Sequence, residues 1–422
     1  MKNLSYFIFA ATLGTSAVAS ANAFNINEHD ARVSGRGGAS AATNTSPSAM
    51  VFNPGGIAVA EGTNVLIGGS LYIAKGDYTP LGGGEKTSTD SSPAIVPSLF
   101  LTSRVHDMIA VGIGLHLPFG LAVSWPTGHA QADVIQDQAL RTYFITPTVG
   151  LNLEKQVPGL SIGGGIDVVP ATVELEQAVI FGDTAGTAHL GGDALGIGGR
   201  FGVMYRPPSL PPLKLGAMWR SDVTLDFAGK GDFDIVDPYR EQLPDDGDIA
   251  TTITLPQAIS FGAAYSAMPE LELEFNAVWI NWSKFDELRI DLPGDAETVS
   301  PQNYKNTITY RFGAEYALTK QKAAVRAGFI YDPTPIPTET LTARLPDVNR
   351  KNITLGGSKW FGDYGAHLSL LWVTPGERDT SDEMYMPVYK ARYGVQAFVT
   401  SITISGTFGG PKPEPREVSP DQ

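Results

Sequence analysis

The 422-residue sequence contains no cysteine. No disulfide can brace it, and neither a thiolate metal centre nor a cysteine nucleophile is available. Lysine and arginine number 30 against 44 aspartates and glutamates, a formal net charge of −14. A surface of that sign repels a phosphate backbone, which excludes nucleic acid as a partner. Long apolar runs are equally scarce. After residue 23 no stretch reaches the roughly 18–20 uninterrupted apolar residues that a membrane helix requires. Enzyme signatures are missing too: there is no Gly-x-Ser-x-Gly elbow, no His-Glu-x-x-His, and no two of the six histidines stand at ligand spacing. The stretch "SGRGGAS" at 34–40 follows no strand, which argues against a dinucleotide loop. No catalytic residue, metal ligand or cofactor is expected.

Residues 1–23 read as a cleaved export signal, with Lys2, the apolar "LSYFIFAATLGTSAVAS" and "ANA" ending at Ala23. Removing them takes away one lysine and no acid, moving the net charge from −14 to −15. An exported chain without disulfides must draw its stability from packing or backbone closure.

What is abundant points to β-structure: 47 glycines, 30 prolines, 9% aromatic and only 18% charged residues, with a mean hydropathy of −0.04. In "KNTITYRFGAEY", Ile308, Tyr310, Phe312, Ala314 and Tyr316 share one parity, and Lys305, Thr307, Thr309, Arg311 and Glu315 share the other. On a strand these sets face opposite ways. The pattern recurs in "LELEFNAVW", "GAHLSLLWV" and "AFVTSITISGTF". An apolar face capped by aromatics suits a strand exposed to lipid.

Fourteen such segments are expected at 64–75, 94–103, 108–125, 141–154, 160–175, 194–206, 213–228, 251–266, 271–289, 304–317, 324–333, 350–360, 364–374 and 393–408. The connections between them alternate long and short. A transmembrane antiparallel β-barrel of 14 strands predicts this: an even count, short periplasmic turns and longer outer loops. Closure satisfies the backbone without apolar helices.

Residues 24–63 lack alternation and abound in Gly, Ala, Ser and Asn, yet Met50, Val51, Phe52, Ile57 and Val59 crowd around the turn "NPGG". A fourteen-strand lumen is wider than its own side chains can fill. The segment is therefore expected to plug it as a hatch, with 64–408 as barrel and the Pro-rich 409–422 as a disordered periplasmic tail.

Several stretches in order resemble the FadL family of outer-membrane transporters for long-chain fatty acids and other hydrophobic compounds. They are the opening "FNINEHDARVSGRGGASAATNTSPSAMVFNPGGIA" from Phe24, "VPSLF", "RSDVTLDFAGKG", "TLP", "NWSKFDEL", and "YRFGAEY" followed by "DPTPIPTETLTARLPDVNR". Asn53-Pro54 matches the family's Asn-Pro-Ala turn, with Gly55 in place of Ala. The resemblance implies a fourteen-strand barrel with an N-terminal hatch, in the outer membrane of a Gram-negative bacterium. It also implies a kinked third strand that opens a lateral exit, here expected at Pro118-Phe119-Gly120; a bulge near the rim is the alternative.

A fatty-acid tail contributes roughly 0.8 kcal/mol per buried CH₂, on the order of 10 kcal/mol gross for sixteen carbons, and needs an apolar pocket. Val278, Ile280 and Trp282 give segment nine an apolar inward parity toward its end. For the head group, the resemblance points to a basic contact in segment ten, where Lys305 and Arg311 lie; pairing of these with Glu315 or Glu272 is the alternative. The family's second basic contact falls in segment five, where "VVPATVELEQ" carries no base. The expected partners are a long-chain fatty acid or other hydrophobic small molecule, outer-membrane lipids and lipopolysaccharide, and the barrel-assembly machinery. An uptake channel for aromatic hydrocarbons and a general porin for polar solutes are the other readings.

Overall fold

The computed structural model describes residues 23–90 and 92–412. The expected signal 1–22 and most of the expected tail, 413–422, lie outside the described residues. Among the described residues no helix is long and apolar enough to cross a membrane. The chain instead closes an antiparallel barrel of fourteen staves. They are β1 (Thr63–Pro80), β2 (Ala94–His106), β3 (Ile109–His116 and Gly120–Ser124), β4 (Asp137–Thr142 and Phe144–Asn152), β5 (Leu160–Phe181), β6 (Thr184–Tyr205) and β7 (Leu213–Arg220 and Val223–Asp234), continuing with β8 (Gly247–Leu255 and Ala258–Ser266), β9 (Leu271–Ile280 and Glu287–Leu292), β10 (Ala296–Pro301 and Thr307–Leu318), β11 (Ala323–Asp332), β12 (Arg350–Phe361), β13 (Tyr364–Asp379) and β14 (Ala391–Phe408). Closure is made by β1 and β14, in register from Thr63–Phe408 to Pro80–Ala391.

The alternation read in the sequence decides which face meets hydrocarbon. On β10, Ile308, Tyr310, Phe312 and Tyr316 are exposed, while Thr307, Thr309 and Arg311 are buried in the lumen. On β9, exposed Leu273 and Phe275 alternate with buried Glu272, Glu274 and Asn276.

Three expectations about the staves and their connections do not hold. The loop after the fifth segment is not long: β5 and β6 continue past the membrane band and meet at the two-residue turn Gly182-Asp183, with Gly182 at φ +58°. The apolar run Ala178-Val179-Ile180-Phe181 and the pair Gly191-Gly192 obscure the alternation there. Segment nine is not continuous, nor is the connection after it long: β9 and β10 pair from Leu271–Tyr316 to Ile280–Thr307, lose their ladder over 281–286 and 302–306, resume at Glu287–Pro301 and meet at the three residues Pro293–Asp295.

Residues 24–62 fold inside the barrel as short turns rather than an extended arm: α1 (Ala31–Ser34), α2 (Ala49–Phe52) and a 3₁₀ turn, Pro54–Ala58. The quoted Asn-Pro-Gly-Gly turn starts this last element. The Asn53 carboxamide oxygen accepts from Gly55 N at 3.1 Å, and its Nδ2 donates to Ala41 O at 2.6 Å and Val203 O at 2.9 Å. One buried side chain thus caps a turn, folds the segment on itself and ties it to β6.

Backbone-to-wall approach is close enough to require glycine. A Cβ on Gly216 of β7 would lie 1.9 Å from Ala41 O, and one on Gly163 of β5 would lie 2.3 Å from Pro54 O. Charge completes the seating. Arg36 pairs with Glu272 at 3.2 Å and Glu274 at 3.3 Å on β9, and Ala42 N donates to Glu274 at 2.8 Å. Arg200 on β6, held by Asp167 on β5, donates to Met50 O at 3.1 Å. At the other side Tyr72 donates to Glu28 at 2.6 Å and Ser98 to His29 O at 2.8 Å. Wall staves on both sides of the bore grip the segment, and each buried charge on it has a partner within reach.

Asn53→Ala removes the cap and takes a donor from the buried Ala41 carbonyl and from the half-buried Val203 carbonyl. It should lower the stability of the detergent-solubilised barrel by roughly 2–4 kcal/mol. An unchanged denaturation midpoint would refute that role.

Burial pushes His29 from its usual 6.5 down to about 3, opposed by its hydrogen bond to Ile26 O and assisted by Arg200 and Arg220. A displaced, solvated His29 would take up a proton that the docked one refuses. The stabilisation from the neutral, docked ring is therefore complete above pH 6.5 and is lost as pH falls from 6.5 toward about 3. His29→Gln cannot titrate. Between pH 6 and 4 the wild type should lose up to about 1.4 kcal/mol per pH unit more than this variant, measured as denaturation midpoints; equal slopes would exclude His29 as the titrating group.

Candidate ligand cavity and wall opening

The third stave breaks at Leu117-Pro118-Phe119 for a reason its residues supply: Pro118 has no N–H to give to a ladder. Below the break, β3 pairs with β2 from His106–Ile109 to Leu99–Leu115. Above it, Gly120–Ser124 pairs only with β4. The upper part of β2, Ala94–Ser98, pairs only with β1. No ladder joins these two stretches, and the wall has a gap between them.

The freed strand turns inward, with Phe119, Val123 and Trp125 buried. Trp125 Nε1 donates to Ala343 O at 2.9 Å in the connection between β11 and β12, which folds into the bore. A space of about 290 Å³, lined by Ala74, Gly76, Thr89, Ala122, Val123, Leu345 and Pro346, lies beside the gap. In place of β2, the N-terminal segment supplies an edge. Ile26 N donates to Pro118 O at 2.8 Å, and Gly120 N donates to Phe24 O at 2.9 Å.

Next to this contact sits an aromatic cluster. The Phe24 ring meets Trp282 edge-on at 4.9 Å, Phe285 at 5.9 Å and Phe119 at 6.0 Å; Trp282 and Phe285 in turn touch Tyr304. The cluster exists because β9 leaves its ladder at 281–286, where the 3₁₀ turn Trp282–Lys284 turns the indole into the bore. The rings divide the lumen in two.

On the side of the long connections is a cavity of about 820 Å³, almost wholly apolar, with walls that include Leu140, Val173, Leu190, Phe227, Ile253 and Ile290. Its few polar groups are Gln138, Glu174, Thr251, Gln302, Tyr304 and Arg344. Burial pushes the Arg344 guanidinium down to about 10, with Tyr304 opposing, so it stays charged at neutral pH. Its Nη2 donates to Val134 O at 3.1 Å, and its Nη1 has no hydrogen-bond partner among the described residues. On the side of the N-terminal segment lies a second space of about 540 Å³, whose lining includes Pro118, Arg220, Asn276, Val278, Ile280 and Arg311.

The structure distributes the residues singled out in the sequence unevenly. Phe24, Pro118, Phe119 and Gly120 meet at one place, the seam between the N-terminal segment and the broken stave. Asn53, Pro54 and Gly55 sit deeper, against β5 and β6. Val278, Ile280 and Arg311 line the smaller space rather than the large apolar one, and Trp282 is part of the divider. Lys305 is the exception. It is exposed and borders neither cavity, because the strand alternation that would aim it inward lapses over 302–306.

The walls of the large cavity were beyond the sequence reading. They come from strand extensions above the clear alternation and from "TETLTARLPD", whose Leu341, Ala343 and Leu345 are buried. An apolar run inside a long outer connection was the available signal. Among the described residues no group of three or more His, Asp or Glu is placed to hold a metal ion.

The family model described as "Outer membrane protein transport protein (OMPP1/FadL/TodX)" matches residues 12–405. The long-chain fatty acid transport protein of Salmonella typhi is 22% identical over 292 residues, 62% of this chain and 66% of that protein. Outer membrane protein P1 of Haemophilus influenzae is 24% identical over 349 residues, 74% of this chain and 73% of that protein. Among solved structures, a Pseudomonas aeruginosa FadL homologue superposes with a TM-score of 0.80 at 18% identity, covering 92% of this chain and all of that one. The Ralstonia pickettii toluene transporter TbuX superposes with a TM-score of 0.70 at 18% identity, over 92% of this chain and 99% of that one. These last two likenesses concern the fold alone. The chain belongs to the outer membrane protein transport protein (OMPP1/FadL/TodX) family, and its barrel is that of a Gram-negative outer-membrane protein.

Proposed function

We propose that this protein takes up long-chain fatty acids or similar hydrophobic compounds across the outer membrane by passive diffusion, with residues 24–62 as a hatch and the third-stave gap as a lateral exit. The observation that carries the reading is an apolar cavity of about 820 Å³ separated by one aromatic cluster from a break in the wall. A water-filled porin has no use for such walls, and a bore occupied by its own N-terminal segment conducts few ions.

A hydrophobic molecule arriving from outside lays its apolar body against Leu140, Leu190, Phe227 and Ile253, and meets Arg344 or Gln138 with any polar end. Onward movement requires Phe24 to leave the cluster. The two backbone hydrogen bonds at the seam, from Ile26 and Gly120, then open with it. The molecule leaves between Ala94–Ser98 and Gly120–Ser124 into the membrane plane, so that it never enters the aqueous periplasm. Gradient and partitioning suffice; a hatch of residues 24–62 is short beside the large plug domains of energised receptors. The exposed apolar band contacts lipids and lipopolysaccharide, and the closed barrel is inserted by the barrel-assembly machinery. Aromatic hydrocarbons fit the same walls, and the name of the Ralstonia relative assigns toluene to that protein; competition between toluene and oleate for the cavity separates the two ligand classes.

Pro118→Val combined with Gly120→Val supplies the missing donor and β-propensity at the break. Uptake of oleate by cells relying on this protein should fall at least about tenfold, with unchanged amounts of heat-modifiable barrel in the outer membrane. Unchanged uptake would remove the lateral exit from the mechanism.

A further inference from the structure

The wall fails to pair at another point, between β6 and β7. Against β8, the upper half of β7 is in register from Val223–Leu255 to Gly231–Gly247. Against β6, pairing stops at Arg220–Arg200 and resumes only at Ala228–Asp193. Residues 194–199 and 221–227 therefore lie side by side without a ladder, although β6 stays paired to β5 along its whole length. Two hydrogen bonds hold the lower end of this stretch, from Ser221 N to Gly199 O at 2.8 Å and from Gly199 N to Ser221 Oγ at 2.9 Å.

The residues show what seals it instead. In "ALGIGG" at 194–199, Leu195 and Ile197 point outward, 67% and 70% exposed, and the positions between them are glycine. Buried Val223 and Leu225 of β7 press into the room those glycines leave. A Cβ on Gly198 would lie 2.6 Å from Val223 Cγ2, and one on Gly196 would lie 2.8 Å from Leu225 Cδ2. The joint is thus an overlap of two aliphatic side chains on glycine, where the rest of the wall is held by backbone hydrogen bonds. Directly behind it is the large apolar cavity. Phe227 and Gly192, at the point where the ladder resumes, both line that cavity, and Phe227 shares one buried apolar cluster with Val223 and Leu225.

We propose that this joint is a second lateral exit, through which uncharged hydrocarbons pass from the large cavity into the membrane without crossing the aromatic divider or moving the N-terminal segment. The inference rests on the uptake reading above and adds a separate route to it. Rotation of Val223 and Leu225 parts the joint, whereas the seam at the third stave must give up two amide hydrogen bonds. Charge decides what can use it. Neither "ALGIGG" nor "SDVTLDF" at 221–227 carries a base, and Asp222 and Asp226 are exposed at the outer lip. A carboxylate would cross an apolar throat unpaired and emerge beside two carboxylates; a neutral molecule meets neither cost.

The test uses the absence of native cysteine. In cells relying on this protein, with cells lacking it as the blank, Gly198→Cys combined with Val223→Cys places a reducible bridge across the joint. Oxidation should lower toluene uptake at least about threefold and leave oleate within about twofold, with recovery in dithiothreitol. Pro118→Val with Gly120→Val should do the reverse, lowering oleate and sparing toluene. If oxidation changes neither probe or both alike, or if toluene uptake falls with oleate when the third stave is repaired, the second exit is overturned and the uptake reading stands. Absence of protein-dependent uptake of either probe would overturn both. Should the cysteine pair fail to assemble or to bridge, Val223→Ala decides, because it thins the seal: toluene uptake about twofold faster or more, with oleate unchanged, supports the exit, and an unchanged toluene rate overturns it.

Discussion

Everything in this protein follows from the need to satisfy every backbone N–H and C=O where no water is available. A sheet in hydrocarbon cannot keep a free edge. Pairing β1 to β14 along their full length removes the edges, and all else is arranged around that closed ladder. Closure around fourteen staves leaves a bore too wide for its own side chains, and the chain fills it with backbone. That choice explains the glycines on the inward face. Gly163 and Gly216 face carbonyls of the N-terminal segment at distances a methyl group would not permit.

The failure of the ladder at the third stave is correspondingly instructive. At Leu117-Pro118-Phe119 the wall gives up its pairing, and Pro118 O and Gly120 N are met from inside, by Ile26 N and Phe24 O. On the side of the broken stave, the partner is thus exchanged from a neighbouring stave to the short N-terminal segment. The aromatic cluster stands at the same point, so that the seam, the divider between the cavities and the break share Phe24 and Phe119. Polar chemistry is kept to either side: Arg344 borders the outer cavity, Arg220 and Arg311 the inner one.

How much of this was legible in the sequence varies with the physics that fixed each part. Period-two alternation with aromatic ends is imposed by a flat hydrocarbon boundary, and Ile308, Tyr310, Phe312 and Tyr316 show it plainly. The stave count followed from the same alternation, whereas the break at Pro118 was expected from the family resemblance together with the proline's missing N–H. Past the hydrocarbon band nothing enforces alternation, which is why the extension of β5 and β6 to Gly182-Asp183 went unread. The cavity walls were hidden for a related reason. Residues such as Leu140, Phe227 and Leu345 come together only through the closure of the whole barrel, and no spacing along the chain encodes it. Lys305 was misread because a parity argument assumes an unbroken strand, and β10 is broken just before it begins to count.

The N-terminal segment is tethered very unevenly. Residues 36–54 are bolted down by buried ion pairs, by Asn53 and by close backbone approach to the wall, whereas Phe24 to Ile26 are held by two amide hydrogen bonds and ring contacts. Such an object does not behave as a cork, which must be withdrawn whole. In the uptake mechanism we propose, it acts as a latch, a fixed body with a swinging tip, so that the passage opens at one corner while the rest of the segment stays seated in the bore.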